Sequence, residues 1–147
     1  MYTRLTLDTR RVTFETSDDA TRLDHEWIWH MLSNEVYWGR WRTRSDVETQ
    51  VGNAWRVIGA YDKETGAQIG FARAVSDGVA FGYLADVMVD PSRRGESIGK
   101  AIVRHMIDDG PGADFRWTLF TADAHGLYAQ YGFAAADETA MVRAPKH

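Results

Sequence analysis

The sequence predicts a single α/β (α+β) domain, residues 1–147, in which helices cover both faces of a mixed, mostly antiparallel sheet. Two observations lead to this fold class. In the middle of the chain, three strand-like segments follow one another through short turns, as antiparallel neighbours do. Later, strand, helix and strand alternate, which favours a parallel pair joined by a crossover. A chain of 147 residues is long enough to bury one core.

The N-terminal third is predicted to contain one strand and two helices. Residues 10–16 alternate in polarity, as a half-buried strand does. Apolar residues recur at helical spacing over about 20–34, which indicates an amphipathic helix. Ser45 or Asp46 is the expected cap of a second, short helix that ends near Asn53.

The middle of the chain is predicted to form an antiparallel meander. Its strands are residues 55–61, 67–75 and 79–89, which are rich in apolar and aromatic side chains. Residues 62–66 and 76–78 have the glycine and aspartate content of the turns that would join them.

The last third supplies the strand–helix–strand unit. A helix is predicted over 97–108, a buried strand over 115–121, and a short helix over 124–131. Gly132 would end that short helix. Residues 140–143, with the sequence Ala-Met-Val-Arg, are predicted to be a final strand.

Composition and charge exclude several classes of protein. A net charge of −4 argues against a broad nucleic-acid surface, and no apolar stretch is long enough to span a membrane. The chain has no cysteine, which removes disulfides, zinc–cysteine sites and a cysteine nucleophile. The N-terminal residues lack the pattern of a signal peptide, so a cytoplasmic location is expected. The sequence leaves open whether the chain forms a homodimer.

The loop that enters the predicted helix at 97–108 has the composition of an anion site. Arg93 and Arg94 add positive charge, while Gly95 and Gly99 allow the backbone to approach a ligand closely. The first N–H groups of a helix have no partner within it and favour an anion. The loop is therefore a pyrophosphate site or, alternatively, an exposed basic loop at the start of a helix.

Two motifs carry a resemblance to a known family. Residues 94–99, Arg-Gly-Glu-Ser-Ile-Gly, resemble the acyl-CoA-binding motif of the GCN5-related N-acetyltransferase (GNAT) family, with Ser97 where that family usually has glycine. Downstream, Ala-x-x-Leu-Tyr-x-x-x-Gly-Phe over 124–133 is similar to the family's helix-and-turn signature, with Thr121 where asparagine is common. The order of elements agrees over nearly the whole chain. The resemblance implies a GNAT-like acyl-CoA N-acyltransferase fold.

The resemblance also implies acetyl-CoA as the co-substrate and a direct transfer of its acetyl group to an amine. Backbone groups of the loop would hold the pyrophosphate, and the end of the preceding strand would pair with the pantetheine arm. Met88 or Val89 would donate an N–H to the thioester carbonyl. Glu96 is expected to face solvent or to pair with Lys100. The implied cofactor-binding residues are Val87, Met88, Val89, Arg94, Gly95, Glu96, Ser97, Ile98, Gly99 and Lys100.

Two residues are the expected catalytic groups. Tyr128 falls on the family's tyrosine position, where a phenol donates a proton to the departing CoA thiolate; Tyr131 is the nearer rival. Asp86 lies in an apolar strand, so burial is expected to raise its pKa and suit it to act as the general base. Alternatively, Asp86 positions a positively charged acceptor or anchors a turn. His125 is a weaker candidate base.

The acceptor side is expected in the first two helices and their connection. That connection holds tryptophan, tyrosine and arginine residues, which suit a flat or anionic small molecule. Alternatively, these aromatic residues only cover the sheet. The expected substrate-binding residues are Trp29, Tyr37, Trp38, Arg40 and Trp41.

Three functions remain open at this point. The leading one is an N-acetyltransferase that acts on a small-molecule amine. The alternatives are a non-catalytic protein of the same fold that binds an acyl-CoA or small ligand, and an N-acetyltransferase of proteins or peptides. No metal is expected, because His25 and His30 lie five residues apart and do not share the helix face that a zinc motif requires.

Overall fold

A computed structural model describes residues 13–36 and 41–146. The strands are β1 (Phe14–Ser17), β2 (Arg56–Asp62), β3 (Gln68–Ser76), β4 (Phe81–Val89) and β5 (Arg116–Thr118). The helices are α1 (His25–His30), α2 (Arg44–Gly52), α3 (Ile98–Met106) and α4 (His125–Ala129). None of the helices in these two ranges is long and apolar enough to cross a membrane. The single domain over 1–147 and the cytoplasmic location stay predictions.

The strands form one mixed sheet in the order β1-β2-β3-β4-β5. Neighbours are antiparallel from β1 to β4, and β5 runs parallel to β4. The mixed, mostly antiparallel sheet flanked by helices is therefore confirmed. The parallel pairing is short, because it joins only 81–83 of β4 to β5. The two strands have no further pairing, and no other strand of residues 13–36 and 41–146 pairs with the second half of β4 on that side, which we call its free edge.

Each face of the sheet carries its own apolar core. On one face, Ile98, Ile102, Val103 and Met106 of α3 are almost completely buried against the central strands. Ile102, Val103 and Met106 lie four, five and eight residues after Ile98, which places all four on one side of the helix. On the other face, α1 and α2 pack on a second cluster that includes Phe71. Helices on both faces were expected, and the sheet is the layer between them.

A β-bulge in β4 changes the face to which its side chains point. Phe71 of β3 lies opposite Met88, whereas Arg73 lies opposite Ala85, so β4 carries one extra residue in this interval. Leu84 packs with the α3 cluster, but Met88 packs with the α1 and α2 cluster. Residues four apart in a regular strand would share a face. Because of the bulge, Met88 near the end of β4 packs in the core on the opposite face of the sheet.

The region predicted as one helix over 20–34 is divided into three parts. A 3-10 turn covers Ala20–Arg22, α1 follows, and Met31–Glu35 form a single π turn. The break has a local cause, since the Asp24 side chain accepts a hydrogen bond from the Trp27 N–H and caps a new helix.

The caps and ends of other elements also differ from the prediction. Helix α2 starts earlier than expected, because Thr43 rather than Ser45 or Asp46 is its N-cap. Asp46 instead accepts from the Thr43 N–H and completes a capping box. Of the strand predicted over 10–16, residues 10–12 lie outside the described residues.

The final strand predicted over 140–143 is wrong. These residues pair with no strand of the part of the chain that the structure describes. Met141 is 94% exposed and Val142 is 71% exposed. Their side chains suit a strand, but strand propensity without a neighbouring edge does not produce one.

Candidate active site

A cavity of about 380 Å³ lies where β4 ends and α3 begins. Its walls come from the loop after β4, the first turn of α3, and one residue of α4. The lining residues are Val89, Arg93, Arg94, Gly95, Ser97, Ile98, Gly99, Lys100 and Leu127. Among the residues predicted to bind the cofactor, only Val87, Met88 and Glu96 are absent from this lining. Most of the residues predicted to bind the cofactor therefore line one cavity.

The start of the loop is fixed by Asp90. Its carboxylate accepts hydrogen bonds from the backbone N–H and the hydroxyl of Ser92, at 2.9 and 2.7 Å. Pro91 has no N–H to satisfy and begins a 3-10 turn. Gly95 then takes a φ of +89°, which is the left-handed region that glycine enters without strain. The chain can therefore turn sharply into α3.

Ser97 occupies a backbone conformation that suits glycine. It is the N-cap of α3, with φ 66° and ψ 22°, and its hydroxyl makes no capping hydrogen bond. A side chain in this left-handed region costs roughly 1–2 kcal/mol. The family's usual glycine would avoid that cost. Ser97 is therefore a strained residue in the lining of the cavity.

The carboxylate of Glu96 does not act on the cavity, because Arg93 holds it. Arg93 donates to Glu96 through Nε at 2.8 Å and Nη2 at 2.9 Å, and to Asp62 of the β2–β3 turn at 2.6 Å. The hydrogen bonds from Arg93 lower the pKa of Glu96, and Glu96 and Asp62 raise the pKa of Arg93. Of the two expected alternatives for Glu96, exposure to solvent is confirmed, whereas pairing with Lys100 is wrong because Arg93 is its partner. Arg94 and Lys100 form no ion pair with the described residues, and their charges remain available to an anion.

The free edge of β4 presents backbone groups next to this cavity. The Asp90 N–H donates to the Ile69 carbonyl of β3 at 2.8 Å. Successive backbone groups of a strand point to opposite sides. The N–H of Val89 consequently points away from β3, to the side where β4 has no described partner beyond Tyr83. Val89 rather than Met88 offers a free donor there.

The two tyrosines of α4 have different environments. Tyr131 donates its hydroxyl hydrogen bond to the Lys100 carbonyl of α3 at 2.9 Å, so its hydroxyl joins two helices. Tyr128 is 8% exposed and meets the ring of Phe133 edge to face. Its hydroxyl makes no hydrogen bond with the described residues. Burial raises the pKa of Tyr128, which keeps the phenol protonated at neutral pH.

The segment before α4 is held by Thr121. Its hydroxyl oxygen accepts a hydrogen bond from the Ala124 N–H at 3.1 Å, close to the start of the helix. His125 is exposed, and its Nε2 lies 3.2 Å from the Thr121 carbonyl oxygen. That contact occupies one ring nitrogen of His125 with the backbone. His125 therefore has a local structural partner.

A buried cluster of charges lies on the other side of β4. Arg42 holds Asp86 with two hydrogen bonds, Nη1 to Oδ2 at 2.9 Å and Nη2 to Oδ1 at 2.8 Å. Arg73 of β3 donates Nε to Oδ2 of the same carboxylate at 2.7 Å. All three residues are buried, and Gln50 of α2 accepts from Arg42 at 2.7 Å. We call these residues the Arg42–Asp86–Arg73 cluster.

The cluster gives Asp86 a low pKa. Burial, the largest single influence, raises the pKa of the carboxyl, but the hydrogen bonds and charges of Arg42 and Arg73 together lower it below its ordinary value. The expectation that burial raises the Asp86 pKa into the range of a general base is wrong. Asp86 also has a φ of +56° at the bulge, where its carboxylate ties β4 to the segment before α2.

The comparisons with known proteins agree with this geometry. A family model described as an acetyltransferase (GNAT) domain matches residues 53–135, more than half of the chain. This chain belongs to the GNAT family of acetyltransferases. The match covers both elements that carry the resemblance, the loop after β4 and helix α4. The chain therefore has the domain of a GNAT-type acetyltransferase.

Comparisons with individual proteins also find similarity, in two cases over about nine tenths of this chain. A candidate GNAT acetyltransferase of Xanthomonas campestris pv. campestris has 31% sequence identity and a TM-score of 0.83, covering 91% of this chain and 94% of that one. A candidate acetyltransferase of Gibberella zeae is 33% identical over 73 residues, which are 50% of this chain but only 39% of the relative. Glucosamine-6-phosphate N-acetyltransferase from Arabidopsis thaliana, at 15% identity and a TM-score of 0.62 over 92% of this chain and 99% of that one, shares the fold.

The expected acceptor side of this GNAT domain is described in part. Trp29 packs against the α1 and α2 cluster, and Trp41 is 73% exposed, with the Arg42 guanidinium 5.3 Å from its ring centre. The predictions for Tyr37, Trp38 and Arg40 lie outside the described residues.

The sequence interpretation missed Arg42 and Arg73. A signal for Arg73 was available, because it is a lone charge between two alanines in a buried strand, as Asp86 is in the next strand. No local pattern marks Arg42, which lies 44 residues from Asp86.

Replacing Ser97 with glycine is expected to stabilise the protein by about 0.5–1 kcal/mol. The relief of left-handed strain, roughly 1–2 kcal/mol, is offset in part by the greater freedom of glycine in the unfolded chain, roughly 0.5–1 kcal/mol. Urea unfolding measures the change in free energy. Ser97→Ala keeps the β-carbon and is the matched control, which should remain near wild type. Equal stabilisation by both variants would show that backbone strain is not the cause.

Replacing Asp86 with asparagine is expected to cost about 3–5 kcal/mol of unfolding free energy at pH 7, because two buried guanidinium groups lose their counter-charge. A carboxyl whose pKa is lowered by folding stabilises the protein above its unfolded pKa, and that contribution is lost as the pH falls through the folded pKa. The difference between wild type and Asp86→Asn should therefore stay constant from pH 8 to about 5 and shrink only below the ordinary value of 3.8. A difference that changes between pH 5 and 7 would indicate a raised pKa instead.

Proposed function

We propose that this chain is an N-acetyltransferase that moves the acetyl group of acetyl-CoA directly to the amine of a small molecule. The observation that carries the proposal is the cavity at the start of α3, which adjoins the unpaired edge of β4. The cavity at the start of α3 suits a pyrophosphate, and the unpaired edge of β4 suits an extended arm that contains amides. Acetyl-CoA contains both groups in sequence.

The pyrophosphate would bind at the loop and the first turn of α3. The helix begins at Ile98, so the N–H groups of its first turn have no partner within the helix. Arg94 and Lys100 add positive charge on the cavity wall. The carboxylate of Glu96 is paired with Arg93, so its negative charge would not repel the pyrophosphate. This favours an acyl-CoA site over the alternative of an exposed basic loop.

The pantetheine arm would lie along the free edge of β4. Backbone groups of Val87 and Val89 point to that edge and would pair with the amides of the arm, as an added strand pairs with a sheet. We assign the Val89 N–H to the thioester carbonyl, where it would stabilise the negative charge that develops on oxygen. Met88 contributes its side chain to the opposite core instead.

In the proposed reaction the amine nitrogen attacks the thioester carbon, a C–N bond forms, and the C–S bond breaks. The Tyr128 phenol gives its proton to the departing sulfur and is later reprotonated from solvent. The proton that the amine loses passes to water, because Asp86 is held by two guanidinium groups and has a low pKa. We therefore propose that Asp86 positions the bulge and the two arginines, and that Tyr128 is the catalytic residue.

The two alternative functions have less support. A side chain at Ser97 and a carboxylate at Glu96 are the features that would favour a non-catalytic binding protein. Glu96 is neutralised by Arg93, however, and Ser97 lines a cavity that remains open. No described feature favours a peptide or protein acceptor. Binding of acetyl-CoA without thiol release across a broad panel of amines would support the non-catalytic alternative.

Replacing Gly99 with glutamate is expected to weaken acetyl-CoA binding by at least about 100-fold. A β-carbon at Gly99 would lie 3.8 Å from Val89 and 3.9 Å from Leu127, which is ordinary contact, so the backbone tolerates a side chain there. The carboxylate of glutamate would then occupy the cavity and repel phosphate. Calorimetric titration measures the affinity, and Gly99→Ala is the matched control that should bind acetyl-CoA nearly as wild type. Unchanged binding by Gly99→Glu would place the cofactor elsewhere.

Replacing Tyr128 with phenylalanine is expected to lower kcat on the order of 100-fold, because the ring remains but the proton donor is lost. Acetyl-CoA affinity should stay the same, and the phenylalanine should pack against Phe133 as the tyrosine does. Thiol release measures kcat, and calorimetry measures the affinity. Tyr131→Phe removes only the hydrogen bond to Lys100 and is the control. A larger loss of kcat in Tyr131→Phe would assign the acid to that residue.

A further inference from the structure

We propose that the acceptor amine also carries a carboxylate, and that Arg73 and Arg42 bind this carboxylate beside the acetyl group. The inference rests on the proposed acetyl transfer and names its substrate class. Three properties of the Arg42–Asp86–Arg73 cluster support it: its charge balance, its unused donors and its place in the sheet.

The cluster contains one more positive charge than negative charge. Two guanidinium groups share the single carboxylate of Asp86, and all three residues are at most 9% exposed. No other carboxylate of the described residues forms a salt bridge with Arg42 or Arg73, and Asp46 of α2 interacts with Arg42 only at longer range. A buried charge without a counter-charge is costly in the low dielectric of a protein interior. A bound anion with one negative charge would balance the cluster.

The two arginines also retain donors that the described residues do not use. The Nε of Arg42 is buried and has no hydrogen-bond partner among these residues. Arg73 donates only its Nε to Asp86, and its terminal nitrogens make no hydrogen bond within the same part of the chain. A guanidinium group presents paired N–H donors that match the two oxygens of a carboxylate. The unused groups are therefore of the kind that binds a carboxylate.

The location of the cluster suits the acceptor. Arg73 lies opposite Ala85, immediately before the bulge, and Asp86 directly precedes the edge residues that would hold the pantetheine arm. The cluster is on the side of the sheet covered by α1 and α2, because Arg42 reaches Asp86 from the segment before α2. A carboxylate on this side would hold its own amine near the thioester at the edge of β4.

The charge balance favours a carboxylate over a phosphate. A carboxylate brings one negative charge, which equals the surplus of the cluster. A phosphate monoester brings about 1.5 to 2 negative charges at pH 7 and would leave a buried negative surplus. A neutral aromatic amine would leave the positive surplus and the free donors unchanged. Amino acids and other amino carboxylates are thus the expected acceptors.

The test compares matched acceptors that differ in one group. Proteinogenic amino acids are assayed beside their carboxamides, and ethanolamine phosphate beside ethanolamine, with thiol release from acetyl-CoA as the readout. We expect at least one amino acid to exceed its carboxamide at least tenfold in kcat/KM, because a site that binds a polar group rejects the analogue without it. Equal kcat/KM for acids and carboxamides, or a preference for the phosphate, would overturn the proposal.

The variant Arg73→Gln separates acceptor binding from a structural role. It leaves Arg42 and Asp86 as a neutral pair with two hydrogen bonds, so the fold should persist, which the urea midpoint checks. We expect KM for the preferred amino acid to rise at least tenfold, with kcat little changed and the carboxamide unaffected. Arg104→Gln, on the exposed side of α3, is the control and should change neither substrate. Equal losses for acid and carboxamide in Arg73→Gln would mean that Arg73 only supports the fold.

Failure of this inference is distinguishable from failure of the proposed function. If no amine releases thiol, calorimetry on the CoA-saturated protein compares the same amino acids with their carboxamides. Preferential binding of an amino acid that Arg73→Gln abolishes would support the carboxylate site although acetyl transfer has failed. Absence of that preference in both the kinetic and the binding experiment would overturn the carboxylate site itself.

Discussion

The separation of β4 from β5 is the constraint on which the rest of the molecule depends. The two strands pair over only three residues, and β4 continues for six more with no partner on that side in the part of the chain that the structure describes. Unpaired backbone at a sheet edge invites another extended chain. Here the loop after β4 and helix α3 place a cavity beside this edge. The unpaired edge of β4 and the cavity that we propose to bind the pyrophosphate therefore adjoin each other.

The bulge at Asp86 links this edge to the opposite layer of the protein. An unusual left-handed residue at the bulge would be strained by itself, but three hydrogen bonds from Arg42 and Arg73 hold its carboxylate. The same contacts fix two guanidinium groups beside the apolar cluster that α1 and α2 cover. Buried ion clusters rarely add net stability compared with apolar packing. We therefore attribute the cluster to the placement of positive charge near the edge of β4 rather than to a gain in stability.

Features that depend on short-range order were predictable from the sequence. The meander, α3 and the loop from Arg94 to Gly99 follow from residue spacing and turn composition, and the structure contains them close to the expected positions. Hydrogen bonds between distant residues were not predictable. The contact of Arg42 with Asp86 lowers the pKa of Asp86, which was expected to be raised. The contact of Arg93 with Asp62 likewise joins residues far apart in the sequence.

Two errors concern secondary structure itself. The cap at Asp24 divides a segment whose apolar spacing alone suggested one helix. Residues 140–143 have the composition of a strand but lack an edge to join. The first error depends on the carboxylate of Asp24, and the second depends on whether a sheet edge lies next to the segment. The spacing of hydrophobic residues carries no information about either.

The position of Arg93 has a consequence for the thermodynamics of binding. Arg93 connects the loop after β4 to the β2–β3 turn through Asp62, to its own loop through Glu96, and to Thr13 at 3.2 Å. All of these contacts are made between groups of the protein itself, and they hold the loop in one arrangement. A ligand that meets an ordered loop loses less conformational entropy than one that must order it. Complex formation at this loop should therefore have a smaller entropic penalty than at a loop without such ties.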